Sequence, residues 1–180
     1  MKKIFLLNLL LTLVVLTAAA SPRPQDAGNS AAPASQPQSA QESHQHSMDM
    51  QGRGDTGMGF SQTKTTHHFI LAKDGGVISV EANDAKDTAS RDQIRMHLAH
   101  IAKMFADGNF DIPMFVHDQV PPGVPVMQSR KSAIHYRFEE TKQGGRVVIT
   151  SSDPDAISAL HDFLSFQIRE HKTGDSVAVQ

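Results

Sequence analysis

Thr66-His67-His68-Phe69-Ile70-Leu71-Ala72-Lys73-Asp74-Gly75-Gly76-Val77-Ile78-Ser79-Val80 is the stretch from which the fold can be read. Apolar, β-branched and aromatic residues lie on both sides of Asp74-Gly75-Gly76, and a turn-forming centre between two runs of strand length predicts a hairpin. The pattern returns over residues 133–150, with Gln143-Gly144-Gly145 as the turn. Each hairpin leads into a segment of helical spacing, and the interval from Gly75 to Asp84 equals that from Gly144 to Asp153. Two ββα units, a candidate internal duplication, predict one small layered α+β domain. Aligned on their histidines, the units match His67 to Ile134, His68 to His135, Phe69 to Tyr136 and Leu71 to Phe138.

The helix ends are expected from local chemistry. Ser90-Arg91-Asp92-Gln93 has the form of a capping box, and Gly108 can close that helix in a left-handed cap. Asp153 suits the N-cap of the second helix and Pro154 its first helical position, while Gly174 lies beyond its last turn. The first unit should span about residues 65–108 and the second about 132–173. The connection, 109–131, holds Pro113, Pro121, Pro122 and Pro125 and should be either functional or wrapped over the core. The ordered domain is expected over 58–175, with 176–180 as a frayed tail.

Ahead of the domain, the 180-residue chain changes character. Met1-Lys2-Lys3, an apolar run to Leu16 and Ala18-Ala19-Ala20 have the layout of a secretory signal peptide over residues 1–20, and the run is shorter than the roughly 20 residues of a spanning helix. A Sec-type leader of this kind points to the periplasm and to no stable membrane anchor after cleavage. Residues 21–57 are rich in Ser, Ala, Pro, Gln and Gly, a composition that buries too little surface to offset the entropy of ordering, and they read as a disordered tether.

Composition removes whole classes of chemistry. With no cysteine there is no disulfide framework, thiolate metal site or cysteine nucleophile. With 17 basic against 19 acidic residues the chain lacks the basic excess of a nucleic-acid binder. No Gly-rich phosphate loop, G-x-S-x-G elbow or H-E-x-x-H helix is present. What remains for soft chemistry is ten histidines and eight methionines.

These residues cluster. In the tether, His44, His46, Met48 and Met50 alternate, so an extended chain would turn them toward one ion. Thioether favours Cu(I) and imidazole accepts Cu(II), Zn(II) or Ni(II), so the mixture points to copper. In the domain, at about 100° per residue, Ile94, Leu98, Ile101 and Phe105 form the core stripe of the first helix. His97, His100 and Met104 lie along its flank, and Met96 can approach His100 from the other side. Strand alternation turns only one of His67 and His68 inward, and the repeat alignment favours His67, with His68 as reserve. His67, His97 and His100, with Met104 or solvent as fourth ligand, form the expected domain site. His117, beside Asp118 in the connection, is a further candidate ligand. His161 and His171 lie near the core stripe of the second helix, where structural roles are expected, and His171 in the last turn fits an interaction with the helix dipole.

The His44 to Met50 tract resembles those of periplasmic copper-resistance proteins. From Met58-Gly59-Phe60 through Thr65-Thr66-His67-His68-Phe69, the Pro121-Pro122-Gly123-Val124-Pro125 turn and Phe166-Gln167-Ile168-Arg169-Glu170-His171, the chain resembles a family of small exported bacterial proteins, mostly uncharacterised. The resemblance brings no catalytic residues. It extends to proteins labelled aspartate carbamoyltransferase, an activity that would need two larger α/β domains and a Ser-x-Arg-Thr-type loop, neither of which this sequence has. The expected function is therefore non-enzymatic copper binding in the periplasm, for sequestration or for exchange with a metal donor or acceptor protein. The alternatives are a module that binds a protein partner or small ligand and, behind it, a metal-dependent hydrolase.

Overall fold

In the computed structural model, residues 38–180 are described, with side-chain surroundings given from His44 onward. The expected signal peptide and the first part of the expected tether lie outside the described residues. Two hairpins, β1 (Thr65–Ala72) with β2 (Gly75–Ala82) and β3 (Ile134–Glu140) with β4 (Gly144–Ser151), join through β2 and β4 into one antiparallel sheet of order β1-β2-β4-β3. Helices α2 (Thr88–Ala106) and α5 (Pro154–His171) follow the two hairpins and complete the expected ββα units. Phe69, Leu71, Ile78, Val80, Val147 and Ile149 are buried on the face that the helices cover.

The registers relate the two units. The shift that carries Gly75 onto Gly144 also carries Thr65 onto Ile134, and it maps the β2–β4 pairing onto itself: Gly75 faces Thr150 just as Gly144 faces Glu81. Under this shift His67 corresponds to Tyr136 and not to Ile134, so the alignment on histidines was slipped by two residues. An even slip leaves the faces unchanged, which is why His67 still points inward. It does remove the expected neighbourhood of His68 and His135, because β1 and β3 form opposite edges of the sheet.

Each helix packs chiefly on the other unit's hairpin: α2 lies over β3 and β4, and α5 over β1 and β2. Neither unit buries its apolar face alone, and the core of Ile94, Leu98, Phe105, Leu160, Phe163 and Leu164 is shared between them. Close approach of α5 to the first hairpin depends on Gly76, where an added Cβ would run into the Leu164 side chain and the Ile70 carbonyl. Gly76→Ala is expected to cost about 1–3 kcal/mol, because the backbone half of that contact cannot move aside. Urea unfolding with an unchanged midpoint would contradict this.

Local capping differs in one place from expectation. The N-cap of α2 is Asp87, whose carboxylate accepts from the Ser90 amide at 3.0 Å and the Ser90 hydroxyl at 2.8 Å, so the helix starts before the expected capping box. Asp153 caps α5 through the amides of Asp155 and Ala156, with Pro154 following, as its sequence implies. The connection is not irregular throughout, since it forms α3 (Asp111–His117) and α4 (Val124–Ser129). The tail is held at its tip, where Gln180 N donates to Leu71 O on the β1 edge.

The largest departure lies before the domain. Residues 38–57, expected as the second half of the tether, lie in helix α1 (Gln38–Met58). Its sequence lacks an apolar stripe, and contacts with the rest of the fold hold it. Met50 is buried, Arg53 Nε donates to Val116 O at 2.9 Å, and Asp55 accepts from the Gln62 amide at 2.9 Å. Gly57 lets α1 approach Phe115 and Val116 of α3. No helix among the described residues is long and apolar enough to cross a membrane.

Candidate functional site

The crossing of α5 over β1 brings the last turn of α5 against the first strand. His171 thereby stacks on His67, with ring centroids 5.5 Å apart and planes 13° from parallel. The end of α3 adds His117, edge-on to His171 at 5.2 Å and 86°. α2 adds His97, edge-on to Phe60 at 5.5 Å, while Phe60 itself stacks on His67. All four imidazoles border one cavity of about 70 Å³, together with Met58 and Gln167. That volume is several times the ~10–15 Å³ that admits one water. The rest of its wall is hydrocarbon, including Phe69, Val80, Leu98 and Phe163.

Desolvation keeps these rings neutral. Burial pushes His67 down to about 4, helped by the neighbouring His68, and pushes His97 down to about 4, helped by His67 and His100. His171 falls to about 3 through burial and the proximity of His67 and His117. Burial also lowers His117, against the opposing pull of its bond to Gln167 and of the Glu170 carboxylate.

Two ring nitrogens are left with unused capacity. His117 Nε2 donates to Gln167 Oε1 at 3.0 Å, which leaves Nδ1 as the lone-pair nitrogen, buried and without a partner. His67 Nε2 is likewise buried and unpartnered, as is the Gln167 amide nitrogen. Buried polar atoms nearly always find partners, so three of the five unpartnered buried side-chain atoms among the described residues falling around one cavity mark a place that water or a ligand would fill.

The sequence-derived set is divided by the fold. His67 and His97 reach the cavity. His68, the reserve ligand, points away, and its Nδ1 donates to Asp175 Oδ1 at 2.9 Å. His100 is exposed on α2 and Met104 packs against the core, so neither joins His67 at the cavity. The alternation of His44, His46, Met48 and Met50 loses its meaning in a helix, where residues two apart point to nearly opposite sides. His44 and Met48 face solvent, Met50 is buried, and His46 Nε2 lies 3.3 Å from Glu170 Oε2. Sequence reasoning placed His117 only as a candidate and took His171 as structural. The one signal for His171 was its place beside the apolar stripe of α5. His161 is structural, as expected, with Nε2 donating to the Ala72 and Gly75 carbonyls at the hairpin turn.

Among the described residues, no three histidines or carboxylates stand as a ready metal-binding group. The stacked pair explains part of this. An imidazole donates its lone pair in the plane of its ring, and the nearly parallel planes of His67 and His171 do not meet at a common point. His117 and His171, almost perpendicular, are not so constrained.

No protein-family model matches the chain, nor does any curated protein or solved structure.

Proposed function

We propose that this chain binds a soft metal ion, cuprous copper above all, at the cavity shared by His67, His97, His117 and His171. The observation that carries this reading is the pair of buried ring nitrogens left without partners, the lone-pair Nδ1 of His117 and Nε2 of His67, beside a neutral His171 and the Met58 thioether. Neutral imidazole and thioether are ligands that Cu(I) accepts, and Cu(I) needs only two or three of them, so a preassembled triad is not required. His117 and His171 supply the first pair, and Met58 or a rotated His67 the third. With the leader read in residues 1–20, the protein would act in the periplasm, sequestering copper or exchanging it with a donor or acceptor protein.

The test is anaerobic titration of the full chain with Cu(I) held by a competing chelator, alongside His67→Phe and His117→Phe. Tight stoichiometric uptake that weakens in both variants is expected. A chain that takes no Cu(I) from the chelator would end the copper reading. The hydrocarbon wall favours a second reading, a small apolar ligand whose polar edge meets Gln167 and His117; displacement of a fluorescent apolar probe, insensitive to copper, would be its signature.

A further inference from the structure

His97 and Met58 line the imidazole cavity and also a second pocket of about 300 Å³ between the end of α1 and the flank of α2. His100 and Met96 stand at the solvent side of that pocket. Met96 and His100 are one helical turn apart, as are His97 and His100, so α2 turns these donors toward the side on which α1 presents Met58. Met96 is 70% exposed and contributes nothing to the core. We propose that Met58, Met96, His97 and His100 form a second, solvent-accessible site for a cuprous ion, the place where the ion is exchanged before it reaches the buried cluster.

The proposal rests on the reading of the buried cluster as a copper site and extends it outward. Two thioethers and two imidazoles make a soft donor set with no carboxylate in it, which suits Cu(I) better than hard divalent ions. His97 and Met58 belong to both spaces, so an ion can pass inward by trading the outer donors His100 and Met96 for the inner imidazoles, and it need never be without a ligand. No electron transfer is needed, because the ion remains cuprous throughout.

The experiment uses the full chain and Cu(I) buffered by a chelator under anaerobic conditions. Wild type is compared with a double variant, Met96→Leu with His100→Ala, at positions exposed enough to leave the fold intact, and with His171→Phe. Wild type is expected to take up two equivalents of Cu(I). The double variant should keep the tighter ion at wild-type affinity and bind the weaker one about 100-fold less well. His171→Phe should do the reverse. A wild type that binds one ion, lost in His171→Phe and unchanged in the double variant, would overturn the outer site and leave the buried one standing. No uptake by wild type would overturn both.

Discussion

Between pH 7 and pH 5 the metal-free chain is expected to lose about 10 °C or more in Tm. An unfolded chain protonates its histidines near 6.5, whereas the folded chain holds His67 and His97 neutral down to about 4 and His171 down to about 3. Within that gap the unfolded state binds more protons, so stability rises with pH and is lost as pH falls. The contribution is intact above about 6.5. Its loss accrues down to about 4, where the folded imidazoles begin to protonate as well. Each such site removes at most about 1.4 kcal/mol per pH unit, and a cluster of them outweighs most single substitutions. Thermal melts at pH 7, 6 and 5 measure it directly, and a flat Tm across that window would show the imidazoles to be solvated. The same depression sets the pH range of metal binding. At His67, His97 and His171 protons compete with copper only at about pH 4 and below, so a buried ion should survive at pH 5, where an ordinary histidine site would be losing it.

His171→Phe is expected to move two observables in opposite directions. The phenyl ring keeps the stacking on His67 and the contact with Phe69, whose ring centre lies 5.6 Å from that of His171. It cannot take a proton in the unfolded state, so the acid loss of Tm should become shallower. It also removes a donor nitrogen from the middle of the cluster, so Cu(I) affinity should fall by about 100-fold or more, beyond what loss of a mere supporting group costs. Chelator competition and melts on the same preparation check both. Higher acid stability with unchanged copper affinity would reduce His171 to a packing residue and move the copper reading away from the cavity.

The parts of this site that were legible in advance are those that depend on neighbours along the chain. His67 faces inward because strand alternation and the buried Phe69 and Leu71 require it, and that conclusion survived a slipped alignment because the slip was even. His97 sits at the edge of the α2 stripe, where about 100° per residue places it. The same arithmetic put His100 beside it, and the pair does share a pocket, but the outer one. His171 escaped, and His117 stood only as a candidate, because their partners are supplied by elements remote in sequence: Gln167 for His117, and β1 for the end of α5.

The sequence by itself determined the α+β class, the two hairpins, the core stripe of α2 and the cap of α5. Pleat alternation, helical periodicity and the hydrogen-bonding habits of Asp and Pro act over a few residues and need no fold to operate. Only the tertiary structure decided which imidazoles meet. Each helix crosses to the hairpin of the other unit, and that exchange seats His171 on His67. Tertiary contact also turned Gln38–Met58 into a helix, since its glycines and polar side chains oppose order in isolation and become ordered when Met50, Arg53 and Asp55 find partners on the domain.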